Sequence, residues 1–330
     1  MHKVVVIGVG SIGERHVRCF QGTGRASVSI IEINEALRTT IAKRYGVAAY
    51  ASLKEALAQG PTAAVVAAPA HTHIPLTSQL VTAGLHVLIE KPLSVSLEGI
   101  DSLRRLIAER RTVVGLAYVY RAHPVLNAMK QALDANRIGR PLELVVVCGQ
   151  HFPTYRPAYR EIYYTCRELG GGAIQDALTH VVNAGEWLVG PVDSLVADAD
   201  HCALAGVTVE DTVHLLTRQG KVLGSYSLNQ HQAPNELTLT VIGERGTLRW
   251  ENHRNRLSWL NVPGEEWQEE QFGPLERDSL FVSQAHAFLD AVEGRQPVLC
   301  SFDEGLQTLR VNLATLATGD QRCWQTVSPR

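Results

Sequence analysis

Short β-branched runs punctuate the start of the chain: Val4 to Ile7, Ser27 to Glu32, Ala63 to Ala68, His86 to Ile89 and Thr112 to Ala117. Segments with apolar positions at helical spacing lie between them, and this alternation predicts a parallel sheet with crossover helices. Pro69, Pro75 and Pro92 fall just after strands or in helix first turns, where a doubly wound fold tolerates them. Beyond Leu142 the rhythm changes to longer alternating stretches: Leu142 to Gln150, Asp211 to Arg218, Lys221 to Gln230, Glu236 to Gly243 and Thr247 to Trp250. Turn signals at Gln219-Gly220 and Glu244-Arg245-Gly246 join neighbours as hairpins, so this part reads as a large, mostly antiparallel open sheet. Two helices follow, one after Asp278 with Phe281, Ala285, Phe288 and Val292 on one face, and one opened by a Ser301-x-x-Glu304 capping box. The expected fold class is α/β followed by α+β, divided into residues 1–120 and 121–330.

Length supports two domains, because 330 residues exceed the usual size of one hydrophobic core. Lys plus Arg is 31 against Asp plus Glu 33, with no run of like charge, which argues against nucleic acid or an anionic membrane as partner. The six cysteines have no C-x-x-C spacing, so neither a zinc ribbon nor a redox pair is expected. Residue 3 already begins a strand-like run, leaving no room for a signal peptide, and no apolar stretch reaches spanning length. The expectation is a cytoplasmic protein acting on a small ligand.

The first candidate for chemistry is the turn Gly8-Val9-Gly10-Ser11-Ile12-Gly13, placed directly after a predicted strand and before a helical pattern. Exposed N–H groups of a helix start receive a pyrophosphate there. Gly8 permits the tight turn, Gly10 the close approach, and Gly13 lets the helix lie against the sheet. Glu32 ends the second strand about 20 residues later, where a carboxylate accepts hydrogen bonds from ribose hydroxyls. It would repel a 2′-phosphate, and no arginine stands at Ile33 or Asn34, so NAD is favoured over NADP. Residues 1–120 are therefore expected to form an NAD(P)-binding Rossmann domain.

The second candidate is Glu90-Lys91-Pro92, after the run His86 to Ile89. A lysine at a strand end is usually a solvated, snorkelling side chain, but here it follows a dinucleotide turn in the same sheet. Asp176 and His180 are four apart, so on a helix from Ala173 they share a face while Ile174, Leu178, Val181 and Val182 turn to the core. That spacing alone also suits a surface pair. Taken together, Gly8-x-Gly10-x-x-Gly13-x-x-His16, Ala68-Pro69-Ala70-His71-Thr72-His73, Ala83-Gly84-Leu85-His86 through Glu90-Lys91-Pro92, and Gly170-Gly171-Gly172-Ala173-x-x-Asp176-x-x-x-His180 resemble the Gfo/Idh/MocA oxidoreductases, a family of sugar and cyclitol dehydrogenases. The resemblance implies that Lys91, Asp176 and His180 form the catalytic set, that Glu90 lies near the nicotinamide, and that Pro69 and His73 belong to the loop beneath it.

Oxidation of a secondary alcohol requires loss of the hydroxyl proton as hydride leaves the same carbon. His180 suits the proton acceptor, since its ordinary pKa lies near neutrality. Lys91 would stabilise negative charge developing on the substrate oxygen, and Asp176 would orient substrate or imidazole. The sequence equally allows Lys91 and His180 to exchange roles. His71 and His73 form an H-x-H pair, but no third ligand has metal-site spacing, and no metal is expected.

Between Phe152 and Glu168 lie Tyr155, Arg156, Tyr159 and Arg160, with further tyrosines and Arg167. Aromatic faces and guanidinium groups suit an acidic sugar, and they equally suit a packed loop or a dimer contact. Arg121 matches an arginine near the domain junction of relatives and is a candidate contact for substrate or cofactor; a structural ion pair is the other reading. Asn183 stands where the family often has Asp. The open sheet is expected to build a homodimer or homotetramer. The function expected is NAD-dependent hydride transfer with a sugar, sugar acid or cyclitol. The alternatives are a redox-neutral sugar-modifying enzyme that reduces NAD transiently, and a non-catalytic cofactor-binding regulator.

Overall fold

A computed structural model describes residues 1–321 and 325–327. The chain forms two compact units, Met1–Ala122 with Glu276–Gly305, and His123–Leu275 with Leu306–Arg330.

In the first unit, β1 (His2–Ile7), β2 (Ala26–Ile31), β3 (Ala48–Tyr50), β4 (Ala63–Val66), β5 (His86–Ile89) and β6 (Val114–Leu116) make one sheet in the order β3-β2-β1-β4-β5-β6. Every pairing is parallel, with Val4 opposite both Val28 and Ala63. Between the strands run α1 (Ser11–Gly22), α2 (Glu35–Tyr45), α3 (Leu53–Leu57), α4 (His73–Thr82) and α5 (Ile100–Arg110). Val4, Val6, Ile30, Val65 and Leu88 carry the core, because strands covered on both faces read as continuous apolar runs. The strand order reverses between β1 and β4, so their carboxyl ends open a crevice at the switch point.

The expected boundary at residue 120 misses one exchange between the units. The helix Ser279–Val292 places Ala285, Phe288 and Leu289 in the core of the first unit, beside Val17 and Phe20 of α1. The Phe20 and Phe288 rings meet edge to face at 6.2 Å. The apolar face read from the sequence is real, but it covers the parallel sheet's helical layer.

In the second unit, β7 (Pro141–Gly149), β8 (Ser194–Asp200), β9 (Thr212–Gln219), β10 (Val222–Asn229), β11 (Glu236–Gly243), β12 (Gly246–Glu251), β13 (Arg256–Leu260), β14 (Gln268–Gln271) and β15 (Gln325–Thr326) form a sheet in the order β14-β13-β12-β11-β7-β10-β9-β8-β15. Its pairings are antiparallel except β7 with β10. Along β9 and β10 burial alternates strictly, with Val213, Leu215, Tyr226 and Leu228 inward. α6 (Pro124–Asp134), α7 (Phe152–Tyr155) and α8 (Thr179–Val189) complete this unit with the greater part of the helix Phe302–Gln321. The capping box predicted for that helix is formed: the Glu304 N–H donates to Ser301 Oγ at 3.2 Å, and Glu304 Oε2 accepts the Ser301 N–H at 2.8 Å.

Candidate active site

The glycine turn sits at the carboxyl end of β1, and each glycine meets a different constraint. Gly8 has φ +79°, and a Cβ there would lie 3.0 Å from Ala67 O. A Cβ at Gly13 would lie 1.8 Å from Gly8 O, so α1 rests directly on the turn. At Gly10 a Cβ would meet nothing within 4 Å. Two glycines are thus demanded by the protein's own packing, while the third faces open space at the start of α1, whose first N–H groups point outward. No side chain caps that helix. The arrangement fits a dinucleotide pyrophosphate.

Glu32 follows β2 and turns back toward this mouth. Its Oε2 accepts the Val9 N–H at 3.1 Å and its Oε1 accepts the Asn34 N–H at 2.9 Å, leaving a second acceptor direction on each oxygen for ribose hydroxyls. An arginine near this carboxylate comes from further along than Ile33 or Asn34. Arg38, in the first turns of α2, donates to the Glu32 carbonyl at 2.7 Å, a contact signalled only by its i+6 spacing.

Glu90 and Lys91 follow β5, and the Lys91-Pro92 bond is cis. Glu90 is 5% exposed; its Oε1 lies 2.6 Å from His16 Nε2 and its Oε2 accepts the Lys91 N–H at 3.0 Å. Burial works to raise the Glu90 carboxyl, but the His16 hydrogen bond, the neighbouring His16 and Lys91 charges and the Lys91 N–H outweigh it and hold the group below its ordinary value. His73 opens α4 and is buried. Its Nδ1 lies 3.0 Å from Pro92 O and its Nε2 lies 2.8 Å from Ala68 O, so the ring bridges the loops after β4 and β5. Burial pushes this imidazole down, against the two carbonyls that favour its charged form. A neutral ring donates to one of them at a time. Pro69 follows Ala68 in the same loop.

Arg121 is 3% exposed and donates to Glu304 Oε1 at 2.9 Å and to Leu299 O at 3.4 Å. Of the two roles open to it, these contacts are those of the structural ion pair. Burial tends to raise the Glu304 carboxyl, and Arg121 together with Ser301 more than reverses this.

The remaining candidates belong to the second unit. The triple glycine is a requirement of packing: Gly170 and Gly172 have φ +91° and +85°, and a Cβ at Gly171 would lie 2.3 Å from Tyr164 O. Behind the turn, the buried Glu210 accepts the Ile174 N–H at 3.2 Å with Oε1 and Arg167 Nε at 2.9 Å with Oε2. Ile174–Leu178 then winds as a π-helical turn before α8 begins, a feature common at functional sites. Asp176 lies in this wider turn and His180 in the first turn of α8, with Ile174, Leu178, Val181 and Val182 buried as expected. Asp176 Oδ1 accepts the Tyr163 hydroxyl at 2.6 Å. Tyr163 belongs to the aromatic segment read from the sequence, whereas nothing in residue type or spacing points to Glu210. Asn183, which replaces the family's common Asp, donates through Nδ2 to Thr308 Oγ1 at 3.0 Å.

The aromatic loop divides. Tyr155 is 49% exposed and Arg156 is exposed, so both remain available to a ligand. Tyr159 corrects the expectation of a substrate contact: it is 1% exposed, packed with Phe152 and Tyr164, and its hydroxyl donates to Ala205 O at 2.7 Å. Arg160 is drawn to the same carbonyl at 2.7 Å and stacks on the Tyr159 ring, fixing the loop.

The strand order, the mouth open only at Gly10 and the acid after β2 define a dinucleotide-binding protein of the Rossmann class. Comparison with known proteins agrees: residues 2–118 match a model described as an oxidoreductase family with an NAD-binding Rossmann fold, and residues 126–249 match a GFO/IDH/MocA C-terminal domain. The chain belongs to the Gfo/Idh/MocA family and is an NAD-binding oxidoreductase. It is 24% identical over 328 residues to a UDP-N-acetylglucosamine 3-dehydrogenase from Acidithiobacillus ferrooxidans, covering 94% of each chain. Over 322 residues it is 27% identical to a myo-inositol dehydrogenase from Streptomyces leeuwenhoekii, covering 94% of this chain and 95% of that one. A levoglucosan dehydrogenase solved with NADH and levoglucosan shares the fold, with a TM-score of 0.89 at 20% identity over 99% of this chain and 100% of that one.

Proposed function

We propose that this oxidoreductase transfers a hydride between a secondary alcohol of a sugar, sugar acid or cyclitol and NAD. The observation that carries the proposal is the glycine turn, crowded at Gly8 and Gly13 and open at Gly10, with the Glu32 carboxylate hydrogen-bonded beside it. The substrate class rests on relatives named for a nucleotide sugar and an inositol. NAD, held by the glycine turn and Glu32, would supply the hydride acceptor. His180 takes the hydroxyl proton as the C–H hydride leaves and the carbonyl forms. Lys91 donates a hydrogen bond to the same oxygen and stabilises its developing charge. Asp176, itself held by Tyr163, orients the imidazole or a neighbouring hydroxyl. The exposed Tyr155 and Arg156 are available to an acidic sugar substituent, a role supported by their chemistry. Preference for NAD over NADP follows from the Glu32 carboxylate, with Arg38 turned to a main-chain carbonyl.

The test is a panel of polyols, sugars and sugar acids with NAD or NADP, read by nicotinamide absorbance. Stoichiometric NADH formation is expected; product without NADH would indicate the redox-neutral reaction, and tight NAD binding without any turnover would indicate a regulator. Lys91→Ala should lower turnover by about 10²–10³-fold while NAD still binds, the size of losing one donor to a developing oxyanion. Full turnover in that variant would remove Lys91 from the chemistry.

A further inference from the structure

The buried pair His16 and Glu90 takes no part in the steps above. His16 lies in α1, just past the glycine turn, and Glu90 ends β5; their side chains are 1% and 7% exposed. The His16 ring is held by Phe20 and Phe281, with ring centroids 6.3 and 5.8 Å away. Among the described residues its Nδ1 is buried without a hydrogen-bond partner, so the ring's polar contact is the 2.6 Å approach of Nε2 to Glu90. The other Glu90 oxygen accepts the Lys91 N–H. A carboxylate this deeply buried is costly, and an apolar replacement of similar shape is often no less stable. Stability alone therefore gives a weak reason for the pair.

We infer that His16 and Glu90 are positioning residues: His16 orients the Glu90 carboxylate, and Glu90 fixes the main chain of Lys91. The helix that receives the cofactor phosphates and the loop that presents the lysine then form one hydrogen-bonded piece, so NAD seating on α1 is felt at Lys91. The inference rests on the role given to Lys91 above, and it deepens that role.

The test uses full-length protein and the variants His16→Asn and Glu90→Gln, with Glu90→Asp as the conservative carboxylate. Two readouts are needed. Steady-state kinetics should show kcat lower by about 10- to 100-fold in His16→Asn and Glu90→Gln, the scale of a misplaced catalytic group, with KM and NAD affinity little changed. Glu90→Asp should recover part of the loss. The second readout is the NMR signal of Lys91 after reductive ¹³C-methylation, assigned with Lys91→Arg among only six lysines. Adding NAD should shift this signal in the wild type, and the shift should shrink in both variants. Wild-type kcat with an unchanged NAD-induced shift would overturn the inference, as would a loss confined to NAD affinity or thermal stability. If the wild type oxidises no alcohol, the functional reading fails, while the lysine signal still decides whether the pair couples α1 to Lys91.

Discussion

At the scale of single residues, Asp211 is a fully buried carboxylate next to Glu210. Its oxygens accept the N–H groups of Cys202, Ala203 and Leu204 at 2.9, 2.8 and 2.7 Å and the Thr212 hydroxyl at 2.8 Å. Burial alone would raise the carboxyl, but the three N–H donors and Thr212 outweigh it and hold the group below its ordinary value. The folded value therefore lies below that of the unfolded chain. The stabilisation is complete above the unfolded pKa of about 4 and is lost as pH falls through the lower folded value. Asp211→Asn should cost on the order of 2 kcal/mol at neutral pH and flatten the acid limb of stability, measured by urea unfolding from pH 7 to pH 3. An unchanged acid limb would show that the carboxylate contributes no such term. The same scale separates what sequence reveals from what it hides. Gly8 and Gly13 were legible because the tight turn and the helix resting on it demand them, and Gly10 and Glu32 because their spacing is that of a dinucleotide turn and its acid. The burial of Tyr159, the pairing of Arg121 with Glu304 and the grip of Tyr163 on Asp176 arise from partners distant along the chain, which residue type and spacing leave open.

Among elements, α1 rests on the turn after β1 through Gly13, where a Cβ would lie 1.8 Å from Gly8 O. Gly13→Ala would drive a methyl group into the Gly8 carbonyl, and because that neighbour is backbone it has little room to yield. Overpacking of this kind costs about 1–3 kcal/mol, so the variant should melt earlier and lose NAD affinity together, as calorimetry with and without NAD would reveal. Strands with β-branched runs were readable; β3, β8, β13, β14 and β15 were not. β3 has only three residues at the sheet edge, β8 carries Asp198 and Asp200, and the Gln268–Gln271 strand is polar and exposed on both faces. β3 and β14 lack the apolar alternation that marks a half-buried strand, and in β8 the alternation of Leu195 and Ala197 with Asp198 and Asp200 is blurred by Val196 and small alanines. The π-helical turn at Asp176 was hidden for another reason: apolar spacing does not distinguish i+4 from i+5 bonding over one turn.

For the whole molecule, the nine-stranded sheet is the surface on which the expected homodimer or homotetramer would form. Val147, Leu216 and Leu223 are 53%, 52% and 45% exposed on its outward positions, and Ser225 stands beside both Leu216 and Val145 in register. An open face with this apolar content fits the proposed homodimer or homotetramer. The double variant Leu216→Glu, Leu223→Glu should sediment as a smaller species than the wild type, and identical sedimentation would place any interface elsewhere. Assignment of Glu276–Gly305 to the first unit was beyond the sequence, because an amphipathic helix declares that it has a covered face without naming the cover. The void at Gly10 gives an experimental control. Its φ of −59° is open to any L-residue and its methyl position is empty, so Gly10→Ala should fold and melt like the parent while its added carbon stands where a phosphate must come. One methyl group would then yield a cofactor-blind twin of this protein, against which ligand-dependent signals can be subtracted.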